Sequence, residues 1–194
     1  MDLNGPIAID VADEPSVNAA FTSAKTRSTK LDLLVVTAGI VDNSPTVDLS
    51  PARWARVLAV NLTGPFLCCR AALGWLADGG RIVLFGSLSG RTGGGVTGVA
   101  YAVSKGGVET LARSLARELA LRRITVNCIA PGAIQTPMFA SNSANAQAAM
   151  IAATPLKRTG TPDEIAGVVA FLASDDAGFI TGATLGVNGG LRLD

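Results

Sequence analysis

Short runs rich in Val, Ile and Leu alternate along the chain with longer stretches in which apolar residues recur every three or four positions. The short runs have the continuous apolar character of strands buried on both faces, and the long ones carry the single apolar stripe of helices that cover them. Residues 6–11 read as a first strand, followed by a helix over 14–29 with Val17, Ala20, Phe21 and Ala24 on one face. Residues 31–36 form a second strand that ends at Ala38-Gly39. Ser50 then caps a helix with Pro51 in its first position, and a kink is expected where Asn61 and Gly64-Pro65 interrupt its course toward Ala77.

Gly79-Gly80 marks a turn before a third strand over 81–85, and a glycine-rich loop leads to a helix over 101–121 striped by Val108, Leu111, Leu115 and Leu119. A fourth strand over 124–129 stops at Pro131-Gly132. Residues 133–154 carry little charge and much Ala, Ser and Asn, the composition of a mobile flap holding a short helix. Thr161-Pro162-Asp163-Glu164 opens a helix toward Ser174 with a capping box, and 184–187 gives a last strand before Asn188-Gly189-Gly190. Strands and helices in alternation predict one α/β domain over 1–194, a doubly wound parallel sheet with helices on both faces.

Composition narrows the chemistry. The 194 residues include no histidine, one tyrosine and three cysteines, with a net charge of +1 and 48% hydrophobic residues. Near-neutrality gives no electrostatic attraction to nucleic acid or an anionic membrane. Without histidine, Ser–His–Asp and Cys–His nucleophile systems and His-ligated zinc are excluded, and no metal site is expected. Cys68 and Cys69 are adjacent and Cys128 is alone, so no Cys-x-x-Cys pair exists; free thiols fit a reducing cytoplasm. The acidic start broken by Pro6 does not read as a signal peptide, and no stretch reaches the ~18 clean apolar residues of a membrane span.

Gly93-x-Gly95-x-x-Gly98 resembles a dinucleotide fingerprint only superficially, because its first glycine stands several residues beyond the strand and no acidic residue ends the next strand. It reads as a flexible loop. Tyr101-Ala-Val-Ser-Lys105 carries more chemistry. Four residues apart on a helix, the two side chains share a face. At ~5 Å and an effective dielectric of about 20, an ammonium favours a phenolate by roughly 3 kcal/mol before burial opposes it. Such a phenol can exchange a proton closer to neutral pH. Ser87 ends the preceding strand, so it and Tyr101 both fall at the carboxyl ends of the strands, where parallel sheets bind ligands.

With these residues the sequence closely resembles the short-chain dehydrogenase/reductase family, whose active site combines Asn, Ser and a Tyr-x-x-x-Lys pair in that order. Asn61, Ser87 (with Ser89 second to it), Tyr101 and Lys105 match. Asp10-Val11 resembles the family's adenine-contacting pair, and Thr37-Ala38-Gly39 stands in its Asn-Asn-Ala-Gly segment. Pro131-Gly132, Ile134 and Thr136 match the segment that touches the nicotinamide carboxamide and phosphates, and Ile180-Thr-Gly and Val187-Asn188-Gly-Gly the C-terminal motif. The resemblance implies a Rossmann-like fold, NAD or NADP as cofactor, a small alcohol or ketone substrate and a homodimer or homotetramer.

It also implies roles. Tyr101 would exchange a proton with the substrate oxygen, Lys105 would lower the Tyr101 pKa and bond the nicotinamide ribose, Ser87 would orient that oxygen, and Asn61 would support a water leading to solvent. Two departures accompany the match. Val36-Thr37 replaces Asn-Asn, and the Ser87–Tyr101 interval is one residue longer than in typical members. The chain also opens at what resembles the family's third strand, without the glycine turn that receives the pyrophosphate. In a family order of 3-2-1-4-5-6, residues 6–11 and 31–36 would then pair directly or leave an open sheet edge. A non-catalytic binding or scaffold protein built on the same fold is the alternative reading.

Overall fold

The computed structural model describes residues 6–95 and 97–193. Four parallel strands, β1 (Leu31–Val36), β2 (Leu76–Phe85), β3 (Thr125–Pro131) and β4 (Thr184–Val187), pair in the order β1-β2-β3-β4. Pleating sends successive side chains to opposite faces. Leu34, Val36, Ile82, Leu84, Val126 and Cys128 enter one core, and Val83 and Ile129, with Leu33, Val35, Phe85 and Leu185, enter the other.

The first core is closed by α1 (Glu14–Lys25), by the helical run α2 (Pro51–Leu58) to α3 (Gly64–Leu73), and by α5 (Val99–Glu118). Phe21, Cys69, Ala72, Val108 and Ala112 are among the buried residues these helices contribute. The second core lies under α8 (Pro162–Ala173), which brings Val168, Val169 and Leu172. Between them in the chain stand α4 (Leu88–Thr92), α6 (Pro137–Ala140) and α7 (Ala144–Ala153). Helices thus cover both faces of a parallel sheet, the doubly wound arrangement expected.

Several expectations need correction. Residues 6–11 form no strand: Ile9 is buried and Ile7 and Val11 pack on the first core, but their backbone joins no ladder. Asp10 spends its backbone groups on the turn into α1, its N–H donating to Ser16 Oγ (2.9 Å) and its carbonyl accepting from the Asp13 N–H (3.1 Å). The apolar pattern there reports burial rather than pairing. β1 accordingly has β2 as its one partner among the described residues.

The helix at 14–29 ends at Lys25, and the helix at 101–121 runs from Val99 to Glu118 before a 3-10 turn at Ala120–Arg122. The flap contains two helices, α6 and α7, instead of one. β2 starts at Leu76, five residues early, and passes through Gly79-Gly80; Gly79 has φ +78°, a conformation that lets the strand continue past an irregularity.

The break between α2 and α3 is a π-helical stretch, Ala59–Thr63, that includes Asn61. Gly64 is required for another reason: a Cβ there would lie 2.8 Å from Val11 Cγ2. The Pro51–Leu73 run is long and apolar enough to cross a membrane by length and composition, but half of it is buried inside the fold as a core helix.

Candidate active site

The carboxyl ends of β1, β2 and β3 open into one cavity of about 1060 Å3. It gathers Thr37 and Gly39 after β1, Ser87 and Ser89 after β2, Tyr101 and Lys105 from α5, and Pro131, Gly132, Ile134 and Thr136 after β3. Asp10, Val11 and Ala38 lie outside this lining, as does Asn61. Asp10 is engaged locally, its Oδ1 accepting from the Ala12 N–H (3.0 Å) and its Oδ2 3.8 Å from Arg56.

Ser87 is the N-cap of α4, and its Oγ accepts from the Ser89 N–H at 3.1 Å. Gly86 before it lets β2 end against α5, because a Cβ would meet Cys128 Sγ at 3.0 Å and the Glu109 side chain at 3.1 Å. The turn α4 makes with α5 is equally close: a Cβ on Gly90 would sit 2.6 Å from the Gly106 nitrogen. Arg91 Nε adds an ion pair to Glu109 Oε2 at 2.9 Å. The Ser87 segment is thereby fixed against the helix that carries Tyr101 and Lys105. Neither the Gly90–Gly106 contact nor the Arg91–Glu109 pair was expected from sequence; a glycine on each of two adjoining helices was the available sign.

Tyr101 and Lys105 are buried at 9% and 5% exposure. The Lys105 ammonium donates to the Phe85 carbonyl (2.8 Å) and lies 5.8 Å from the Tyr101 ring centroid. Burial raises the Tyr101 phenol above the ordinary tyrosine range, and the neighbouring Ser87 hydroxyl opposes this. Burial also lowers Lys105 to about 8. Desolvation thus sets the direction at Tyr101, opposite to the lysine-driven drop expected. Beneath the pair, the Cys128 thiol is pushed up to about 12 by burial and stays protonated.

Asn61 is fully buried and saturated. Its Oδ1 accepts from the Ile40 N–H (2.8 Å), and its Nδ2 donates to the Ile40 carbonyl (2.8 Å) and Ser104 Oγ (3.1 Å). Ser104 Oγ in turn donates to the Tyr101 carbonyl at 2.7 Å. Asn61 thus ties the loop after β1 to the first turn of α5. A Cβ on Gly39 in that loop would lie 3.4 Å from Lys105 Nζ and 3.5 Å from Asn61 Oδ1, so glycine keeps the space over the ammonium clear. Gly93, Gly94 and Gly95 all have positive φ and join α4 to α5, while the Gly98 N–H donates to the Asp42 carbonyl at 3.1 Å. That loop serves the start of α5.

The donor set fits the nicotinamide-ribose half of a dinucleotide. Among the described residues Lys105 uses one of its three N–H donors, on Phe85, and the remaining two stand at a cavity that also holds the Thr37 and Thr136 hydroxyls.

A family model described as enoyl-(acyl carrier protein) reductase matches residues 2–192. The 3-oxoacyl-[acyl-carrier-protein] reductase MabA of Mycobacterium tuberculosis is 38% identical over 189 residues, covering 96% of this chain and 76% of the relative. The cis-4-hydroxycyclohexanecarboxylate dehydrogenase of Sinomonas cyclohexanicum is 41% identical over 187 residues, at 95% and 75% coverage. A short-chain dehydrogenase/reductase structure from Brucella melitensis superposes with a TM-score of 0.92 at 37% identity, covering 97% of this chain and 76% of that one. A blue fluorescent protein from a metagenomic library, solved in complex with NADPH, superposes with a TM-score of 0.91 at 35% identity, at 96% and 75% coverage. By this family match and these relatives the chain belongs to the short-chain dehydrogenase/reductase family of NAD(P)-dependent oxidoreductases.

Proposed function

We propose that this chain interconverts a secondary alcohol and a ketone, in the manner of a 3-oxoacyl reductase or an alcohol dehydrogenase. The observation that carries the reading is the convergence of Ser87, Tyr101 and Lys105 on one cavity at the strand ends, beside a buried ammonium with donors to spare. Bound NAD(P) supplies or takes the hydride. In reduction, Tyr101 gives its phenolic proton to the substrate oxygen as negative charge develops there. Ser87 donates a hydrogen bond to the same oxygen and holds it in place, a preorganised donor in a partly dry site. Lys105 holds the ribose with its spare donors and stabilises the phenolate that Tyr101 becomes. Asn61 positions the loop over Lys105 and, through Ser104, the first turn of α5, beside the route by which the proton is replaced from solvent.

Thr37, Gly39, Pro131, Gly132, Ile134 and Thr136 form the nicotinamide side of the cavity in this reading, with Ala38 linking the first two; Asp10 and Val11, which lie outside that lining, belong to the adenine end. The enzyme works in the cytoplasm, in keeping with its free thiols, and assembles as a homodimer or homotetramer, the assembly being supported by Phe66 on α3 and Val103 on α5, which remain 44% and 46% exposed. Titration with NADH and NADPH, followed by nucleotide fluorescence, tests the core of the proposal. Saturable micromolar binding is expected; absence of binding at millimolar cofactor would instead support the scaffold alternative.

A further inference from the structure

The substrate side of the cavity is built without charge. From residue 124 to residue 156 the chain contains no Asp, Glu, Lys or Arg, and this stretch includes all of α6 and α7. Both helices line the cavity, with Met138 and Phe139 from α6 and Ala149 and Met150 from α7, and Val41 and Leu88 also contribute to the lining. Among the described lining residues Lys105 is the one charged side chain, and it lies on the floor beside Tyr101, next to the oxygen that reacts. Four cations on, or paired to, segments that adjoin the lining have partners of their own. Lys157 donates to the Ala152 carbonyl at the end of α7 (2.6 Å), Arg158 pairs with Glu164 (2.6 Å), Arg53 with Asp42 (2.9 Å) and Arg91 with Glu109 (2.9 Å).

A carboxylate or phosphate elsewhere on a substrate would therefore leave water for an apolar wall with no counter-ion. Ions buried in that way carry a large desolvation penalty. From this we infer that the site takes uncharged ketones with a largely apolar body and rejects keto acids and phosphorylated ketones. The inference rests on the alcohol–ketone reading and names its substrate class.

The test uses two probes that differ in charge, methyl 2-tetralone-6-carboxylate and the free acid, with the whole chain. Their dissociation constants are measured by calorimetry with and without NADP+, alongside rates of NADPH oxidation. The ester is expected to bind at least about 100-fold more tightly than the acid. Met150→Arg, which adds a cation to the wall, is expected to narrow that gap to less than about tenfold by strengthening acid binding. An acid bound as well as the ester, a gap that Met150→Arg leaves unchanged, or binding of neither probe overturns the inference. An ester that binds as expected but is not reduced leaves the substrate class standing and counts against the alcohol–ketone chemistry.

Discussion

Lys105 carries its charge where the fold least supports it. Burial at 5% exposure lowers it to about 8. Against an ordinary lysine near 10.4, that gap corresponds to ~3 kcal/mol at about 1.4 kcal/mol per tenfold. Below pH 8 both folded and unfolded chains hold the proton, and the folded state bears the full cost. Between pH 8 and about 10.4 the folded Lys105 releases its proton while the unfolded one retains it, so stability rises with pH through this window. Lys105→Met removes the buried ammonium but leaves the Phe85 carbonyl without its donor, a loss of about 1 kcal/mol. The variant should thus be more stable than the parent by ~2 kcal/mol at pH 7. By pH 11, once the unfolded lysine has also released its proton, the order should reverse, with the variant less stable by about 1 kcal/mol. Urea unfolding followed by the fluorescence of Trp54 and Trp75 at several pH values reads the difference directly. Parallel pH curves for the two proteins would refute the reasoning, as would a variant less stable at pH 7.

Other consequences are open to measurement. Tyr101 is the chain's one tyrosine, so ultraviolet titration of phenolate absorbance reports it alone, and without cofactor the midpoint should lie above 10. Asn61→Ala strips partners from both backbone groups of Ile40 and should cost about 2–4 kcal/mol in urea unfolding, with the loop over Lys105 losing hydrogen-exchange protection. Gly90→Ala drives a Cβ into the Gly106 backbone, moves Ser87 off Tyr101, and should lower kcat more than tenfold while the NADPH Kd changes little. Thr161→Ala removes half of the capping box on α8 and should cost about 1 kcal/mol.

The sheet was legible where side-chain burial and strand pairing coincide. Residues 31–36 and 184–187 were read to the residue, because their apolar runs are bounded by turn chemistry. Residues 6–11 show the same burial signal with the backbone committed to a turn, and nothing in a hydrophobic pattern separates the two cases. The early start of β2 was hidden by Gly79-Gly80, which reads as a turn in sequence but lies within the ladder in space.

At the site, residue types and order sufficed to name Ser87, Tyr101 and Lys105, which do meet. What the sequence could not supply was the balance of burial against charge. The interval of four residues fixes the distance between Tyr101 and Lys105 but not how dry their surroundings are, and dryness sets both pKa directions. Asn61 was legible as a residue and not as a fully saturated bracket, since its partners Ile40 and Ser104 are remote in sequence.

The central claim is that Tyr101 transfers the proton in a nicotinamide-dependent alcohol–ketone interconversion. Its most direct measurement is the rate of NADPH oxidation with an uncharged ketone for the parent chain and for Tyr101→Phe, with cofactor affinity measured on both. A fall in kcat of at least about a thousandfold at an NADPH Kd within threefold of the parent is predicted. Turnover by Tyr101→Phe at the parent's rate would contradict the account.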